Sequence, residues 1–212
     1  KKFLEEDYNV FVFDRKKPDF EVEFSNVDVS DSGEVSQAVS DIDGLDVLVN
    51  NAGVFHMNVE QEFDEDSYHE IFDTNVKGFS LMFYECLPLL KESDNGNVIN
   101  ISSGLSKRPD PLCDMYSASK AAINSLKTSW ANRYSNTSVS VNSILPGPVK
   151  TDLLYNNLDG VSLDDYRDLQ PMSRLIEPEE VAKVVFFVSQ NNCFNGAEIE
   201  VGGEGNSNQY SI

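Results

Sequence analysis

Apolar residues along this chain fall into two patterns: short, nearly unbroken runs, and longer stretches in which they return every three or four positions. The short runs are Asn9-Val-Phe-Val-Phe13, a segment beginning near Glu21, Leu45 to Val49, Asn97-Val-Ile-Asn-Ile101 and Ala197 to Val201. Such runs bounded by polar residues predict strands covered on both faces, as in a parallel sheet. Asp64 to Leu90 and Asp114 to Tyr134 predict helices with long apolar faces. Lys1 to Tyr8 has the composition of a helix end. Strands alternate with helices, without repeats or linkers. The expected fold class is therefore α/β, a doubly wound parallel sheet in one three-layer domain over residues 1–212.

One connection is unusually short. A strand ending near Phe13 and another starting near Glu21 leave only Asp14 to Phe20 between them, with Pro18 inside. Parallel neighbours normally need a crossover of about a dozen residues or more. A crossover helix must be absent there or reduced to a turn.

Composition narrows the possibilities. The 212 residues are 40% hydrophobic, enough for a core of ordinary α/β size. The apolar run Phe79 to Leu90 is interrupted by Ser80, Glu85 and Pro88, well short of a membrane span. Asp and Glu outnumber Lys and Arg 36 to 16, a formal charge of −20 that argues against nucleic acid as a partner. Cys86, Cys113 and Cys193 lack metal-ligand spacing, and three scattered thiols suit a reducing cytosol better than a disulfide scaffold. His56 and His69 have no serine or carboxylate arrangement that would make a triad, and read as structural or surface groups.

The candidate chemistry centres on Tyr116-Ser-Ala-Ser-Lys120, at the start of the second long helix. The spacing puts a phenol and an ammonium one turn apart on one face. A cation at that distance favours the phenolate and brings the tyrosine towards use as a general acid or base. Thirteen residues before Tyr116, the strand Asn97 to Ile101 runs into Ser102-Ser103-Gly104, which places a hydroxyl at the carboxyl end of a strand. Open α/β sheets bind their ligands there.

These residues resemble the short-chain dehydrogenase/reductase family. The resemblance takes in the strand-Ser-Ser segment, Tyr-x-x-x-Lys, Asn50-Asn51-Ala52-Gly53 after a strand, Phe72-Asp-Thr-Asn75-Val-Lys-Gly78, Leu145-Pro146-Gly147-Pro-Val149-Lys-Thr151 and Arg174 to Ala182. It covers nearly the whole chain from residue 1 to about 203. It implies a Rossmann-type fold, a nicotinamide dinucleotide cofactor, and a catalytic set of Asn75, Ser103, Tyr116 and Lys120, with Asn75 binding a water that links the lysine to solvent. The thirteen-residue spacing favours Ser103 over Ser102. Cofactor contacts are expected from Asp14, Arg15, Asp28, Val29, Asn51, Ala52, Gly53, Tyr116, Lys120, Pro146, Gly147, Val149 and Thr151. Asn50 and Asn51 also fit plain turn formers that accept positive φ, and Asp28 also fits an acid in the N-cap region before Ser30-Asp31.

Asp14, at the end of the family's second strand, could accept both adenosine ribose hydroxyls and would repel a 2′-phosphate, favouring NAD. The neighbouring Arg15 could pair with that phosphate and favour NADP. The family's glycine-rich loop is not found before this strand, nor is the first strand, which belongs in the middle of a 3-2-1-4-5-6 sheet. The expectation is therefore of an incomplete chain, with a segment of Gly-rich turn and central strand lying outside it.

The resemblance implies hydride transfer between a dinucleotide and a secondary alcohol or ketone such as a sugar, a cyclic diol or a small carbonyl compound. Leu105, Leu112, Cys113, Asp114, Met115, Leu153, Leu154 and Tyr155 are candidate lining residues, under a lid over about 152–172. A 3-oxoacyl-(acyl-carrier-protein) reductase using NADPH is the rival within the class; Lys91 to Gly96, largely acidic or neutral, suits an acidic carrier poorly. A non-catalytic dinucleotide sensor would be expected to lose the Tyr/Lys pair, and both residues are here. Relatives pair their long helices and last strand across two-fold axes, so a homotetramer or homodimer is expected.

Overall fold

The computed structural model describes residues 1–58, 62–157, 167 and 172–202. Its strands are β1 (Phe11–Asp14), β2 (Glu23–Asn26), β3 (Val47–Asn50), β4 (Asn97–Ile101), β5 (Ser140–Pro146) and β6 (Glu198–Val201). Every pairing is parallel: Phe11 stands opposite Glu23, Val47 opposite Asn97, Asn97 opposite Ser140, and Ser143 opposite Glu198. The helices are α1 (Lys2–Glu5), α2 (Ser32–Ser40), α3 (Glu65–Phe72), α4 (Phe79–Glu92), α5 (Asp114–Arg133), α6 (Asp152–Tyr155) and α7 (Pro178–Ser189).

Alternation along the strands sorts the core into two halves. Val98 and Val141 face one side, where Val35 and Val39 of α2, Phe83 and Leu87 of α4 and Trp130 of α5 cover them. Phe83 and Trp130 stack with ring centroids 4.0 Å apart, locking α4 to α5. Ile99 and Ile144 face the other side, under Val185 and Val188 of α7 and Phe3 of α1. Together these make three layers, helix on sheet on helix, a single-domain Rossmann α/β fold.

Two local features depart from a regular plan. Residues 15–22 join β1 to β2 without a helix, as the short spacing required, and the turn is closed by Asn26 Nδ2 donating to the Arg15 carbonyl (2.9 Å) and Val27 N to that of Asp14 (3.2 Å). The helix expected over Asp64 to Leu90 is interrupted by a π-helical segment, Asp73–Gly78. A π turn carries one extra residue, and here it brings Asn75 inward to Val54 and Ser119. Gly78 ends the segment where only glycine fits: a Cβ there would lie 2.8 Å from Val29 Cγ2.

The sheet itself is in two parts, β1-β2 and β3-β4-β5-β6. Among the described residues β1 pairs only with β2 and β3 only with β4. All four residues of β1 and all four of β3 line one cavity of about 1330 Å³. Its walls also carry Met82, Cys86, Val181 and Val185 from the helices above and below. Two edges unpaired among the described residues thus face each other across a largely apolar space, where the family resemblance implies the centre of the sheet.

Candidate active site

The same cavity continues past the carboxyl ends of the strands, where the chemistry-bearing residues gather. Ser103 follows β4 and Tyr116 and Lys120 lie on the first turns of α5, which the contact between α5 and β5 holds beside the sheet. Ser103, Tyr116 and Lys120 all line the cavity. Ser102 plays a structural part, its hydroxyl donating to the Lys120 carbonyl (3.1 Å) and tying the strand end to the helix. Ser103 Oγ accepts the Leu105 N–H (3.2 Å) and starts the short 3₁₀ turn Gly104–Ser106.

Burial governs the electrostatics. The protein packed around Tyr116 pushes its hydroxyl up to about 12; the Ser103 hydroxyl, in hydrogen-bonding range, pulls the other way, and Cys113 adds a further upward push. Lys120 is brought down to about 8 by burial alone, and its Nζ donates to the Ile101 carbonyl (3.0 Å). The four-residue spacing predicts that the cation brings the phenol down, and the structure shows the reverse. Lys120 Nζ does sit over the Tyr116 ring, 5.6 Å from its centroid, but desolvation outweighs that proximity in the cofactor-free protein.

Asn75 is fully buried, and its side-chain groups are spent on the protein. Its Oδ1 accepts the Val54 N–H (2.9 Å), while Nδ2 donates to the Val54 carbonyl (3.0 Å) and to Ser119 Oγ (3.1 Å). Ser119 Oγ in turn donates to the Tyr116 carbonyl (2.7 Å). The loop after β3 is thereby clamped to the catalytic helix through the π segment. Asn50 donates across the sheet to Asn100 Oδ1 (3.0 Å). The positive φ that would suit Asn50 and Asn51 as turn formers is not found; among the described non-glycine residues only Asp7 and Ser173 have it.

The expected cofactor residues divide between two adjoining cavities. Asp14, Val29, Asn51, Ala52, Gly53, Tyr116, Lys120, Pro146, Gly147, Val149 and Thr151 line the large one. Asp14, Arg15, Asp28, Val29, Ala52 and Gly53 meet around a smaller one of about 100 Å³. Asp28 is not the N-cap of α2; Asp31 is, accepting Gly33 N (2.8 Å) and Glu34 N (2.9 Å). Asp28 accepts from Ser30 Oγ (2.7 Å) and N (2.9 Å), which hold its carboxyl below the usual range, and lies 3.9 Å from Arg15. Asp14 Oδ1 accepts the Lys16 N–H (2.9 Å). Gly53 leaves its Cα bare at the wall, since a Cβ would come 3.2 Å from Asn75 Oδ1 and 3.5 Å from Lys120 Nζ. Carboxylates at one end, bare backbone in the middle and the Tyr/Lys pair at the other fit an extended dinucleotide.

The loop after β5 is fixed at both ends. Gly147 N donates to Val201 O (2.8 Å), Lys150 N to Ile176 O (2.9 Å) and Ile176 N to Pro148 O (3.0 Å), and Thr151 caps α6. Of the lid expected over about 152–172, residues 158–166 and 168–171 lie outside the described residues. Leu105, Leu153 and Leu154 line the cavity as expected, whereas Leu112, Cys113, Asp114, Met115 and Tyr155 do not. Asp114, the first residue of α5, and Tyr155, the last of α6, are exposed instead.

Phe55, Phe79, Arg108 and Asp110 also line the cavity, and nothing in the sequence pattern pointed to them. Phe55 meets Tyr116 edge to face at 4.8 Å. Ser119 is a further addition. Its position inside Tyr-x-x-x-Lys was a usable signal; the aromatic positions gave none, since apolar periodicity does not separate a core ring from a cavity ring.

This arrangement defines a nicotinamide-dependent oxidoreductase on a Rossmann fold, and the comparisons agree. The short chain dehydrogenase family profile matches residues 1–161, and the chain belongs to that family. It is 33% identical over 171 residues to a 3-alpha-(or 20-beta)-hydroxysteroid dehydrogenase of Mycobacterium tuberculosis, covering 80% of this chain and 64% of that protein. A 3-ketoacyl-(acyl-carrier-protein) reductase from Brucella melitensis complexed with NADH superposes with a TM-score of 0.86 at 27% identity, covering 96% of this chain and 90% of the other. ElxO with NADP bound gives 0.84 at 26% identity, covering 94% and 89%. The protein is thus an oxidoreductase acting on carbonyl or alcohol groups with a nicotinamide cofactor. Among the described residues no helix is long and apolar enough to cross a membrane.

Proposed function

We propose that this protein transfers hydride between NAD(H) and a secondary alcohol or ketone of modest size, such as a sugar, a cyclic diol or a small carbonyl compound. The observation that carries the reading is the convergence of Ser103, Tyr116 and Lys120 on one cavity that Asp14, Val29, Asn51, Ala52, Gly53, Pro146, Gly147, Val149 and Thr151 also line. The bound nicotinamide would supply the hydride chemistry. Ser103 and Tyr116 hydrogen-bond the substrate oxygen. In reduction Tyr116 gives its proton to the developing alkoxide; in oxidation its phenolate takes one. Lys120 holds positive charge beside the phenol and would face the cofactor ribose. Asn75 keeps the loop carrying Asn51 to Gly53 in register; with its amide engaged by Val54 and Ser119, the expected water link from lysine to solvent finds no support in it. Pro146, Gly147, Val149 and Thr151 would hold the nicotinamide end.

NAD is favoured by Asp14 at the cavity wall. Arg15 remains the residue through which NADP would bind. A 3-oxoacyl-(acyl-carrier-protein) reductase is the second reading, supported by the Brucella enzyme's likeness. A charge of −20 disfavours it, because an acidic carrier would be repelled. The intact Tyr116/Lys120 pair likewise disfavours a non-catalytic sensor. The further reading is of a cytosolic homotetramer or homodimer. The test is turnover of a panel of alcohols and ketones with NAD(H) and NADP(H), followed by the absorbance of the reduced nicotinamide. Absence of turnover across the panel despite dinucleotide binding would favour the sensor.

The open space between β1 and β3 belongs to the same proposal. Its two unpaired edges and apolar lining fit one parallel strand, followed by a glycine-rich turn at the middle of the dinucleotide site.

A further inference from the structure

Lys120 is 4% exposed, yet no carboxylate among the described residues pairs with it. Its Nζ has three protons to place, and the hydrogen bond to Ile101 O takes one of them. An ammonium in such a place normally gives up its proton. What meets it instead is the face of Phe79, with Nζ 5.1 Å from the ring centroid. Phe79 is 1% exposed, begins α4 directly after the π segment, and is held there by Gly78 against Val29 and by its own carbonyl, which accepts from Asn50 Nδ2 (3.4 Å).

We infer that Phe79 is a positioning residue for Lys120, its ring face keeping the ammonium charged and fixed at the cavity wall. An aromatic face carries negative potential and attracts a cation most strongly where water is excluded. The remaining neighbours leave it this role. From α5 Lys120 meets Tyr116, a neutral phenol whose ring is further away, at 5.6 Å. From the turn before α5, Cys113 acts on Tyr116 and Asp110 acts on Cys113, so the titratable groups there are directed at the phenol end. β4, the loop after β3 and the π segment contribute the Ile101 carbonyl, Gly53 and Asn75, none of which titrates. Phe79 therefore opposes the burial that brings Lys120 down. Its meaning for turnover rests on the reading of Lys120 given above.

The inference is tested on the whole chain without cofactor or substrate, by following the lysine ¹³Cε resonances through a pH titration, with Lys120 assigned by its loss in Lys120→Met. Phe79→Leu and Phe79→Met remove the ring and keep an apolar side chain; Phe79→Tyr keeps the ring. The two non-aromatic variants should lower the Lys120 midpoint by about half to one pH unit, while Phe79→Tyr stays with the parent. Two non-aromatic variants guard against one failing to fold, which melting curves report. A midpoint unchanged in a folded non-aromatic variant, or lowered equally in Phe79→Tyr, overturns the inference. Because the titration uses no substrate, loss of the oxidoreductase reading would show in the turnover panel and leave this result standing.

Discussion

Asn75 grips Val54 from both sides, its Oδ1 accepting the Val54 N–H at 2.9 Å and its Nδ2 donating to the Val54 carbonyl at 3.0 Å. The pair imitates one rung of a sheet between a helix and a loop. Asn75→Ala should leave two backbone groups of Val54 unpaired beside the cavity, at about 1–3 kcal/mol. A lower Tm with a larger fall in turnover than in dinucleotide affinity is expected. An unchanged Tm would show that the grip adds nothing.

Tyr116→Phe keeps the ring and its contact with Phe55 and removes only the transferable proton. Turnover should fall by about 10²-fold or more while dinucleotide affinity stays within about twofold. Near-parent turnover would remove Tyr116 from the catalytic role.

The cofactor end is checked by steady-state kinetics with both dinucleotides. NAD(H) should give the higher kcat/KM, and Asp14→Ala should narrow the gap by relieving repulsion of a 2′-phosphate. A parent protein that prefers NADP(H) would shift control of the site to Arg15.

Alkaline pH should destabilise the protein. Burial pushes Cys86 and Cys113 from 9.0 up to about 12 and Tyr116 from 10.0 up to about 12. Each of these raised groups keeps its proton folded and loses it unfolded, so its contribution is whole below the unfolded value and disappears as pH rises towards 12. Lys120, lowered from 10.5 to about 8, works in the opposite sense between those values. Three groups against one give a Tm that falls above about pH 9, and Cys86→Ala and Cys113→Ala should each flatten the slope. A Tm level from about pH 9 to about pH 11 would contradict this.

The space between β1 and β3 gives the last prediction. The chain extended ahead of Lys1 by an apolar strand and a glycine-rich turn should bind dinucleotide more than about tenfold tighter than the 212 residues alone. Equal affinities in a fluorescence titration would mean that the space is not a strand site.

Much of this was legible from the residues. Asn97 to Ile101 is a strand with the bounds read from its apolar run, because a strand buried on both faces leaves no ambiguity of face. Tyr116 and Lys120 fall on one helix face because the 3.6-residue period places them there. The π segment was not legible: Asp73 to Gly78 has ordinary helical residues, and the extra residue in the turn is set by contacts with Val54, Ser119 and Val29, all distant in sequence. The direction of the Tyr116 shift was also out of reach, since spacing reports a neighbouring charge and burial is a property of the packed protein. That Asp31 and not Asp28 caps α2 follows only from the Gly33 and Glu34 amides meeting the Asp31 carboxylate.

The facing edges of β1 and β3 also bear on how the protein behaves in solution. Phe11 and Val49, at 40% and 36% exposed, sit on those edges. On the proposal above, a strand seated between them would pair both rows of backbone groups and cover both side chains, so the interior of the sheet would offer no edge to another chain.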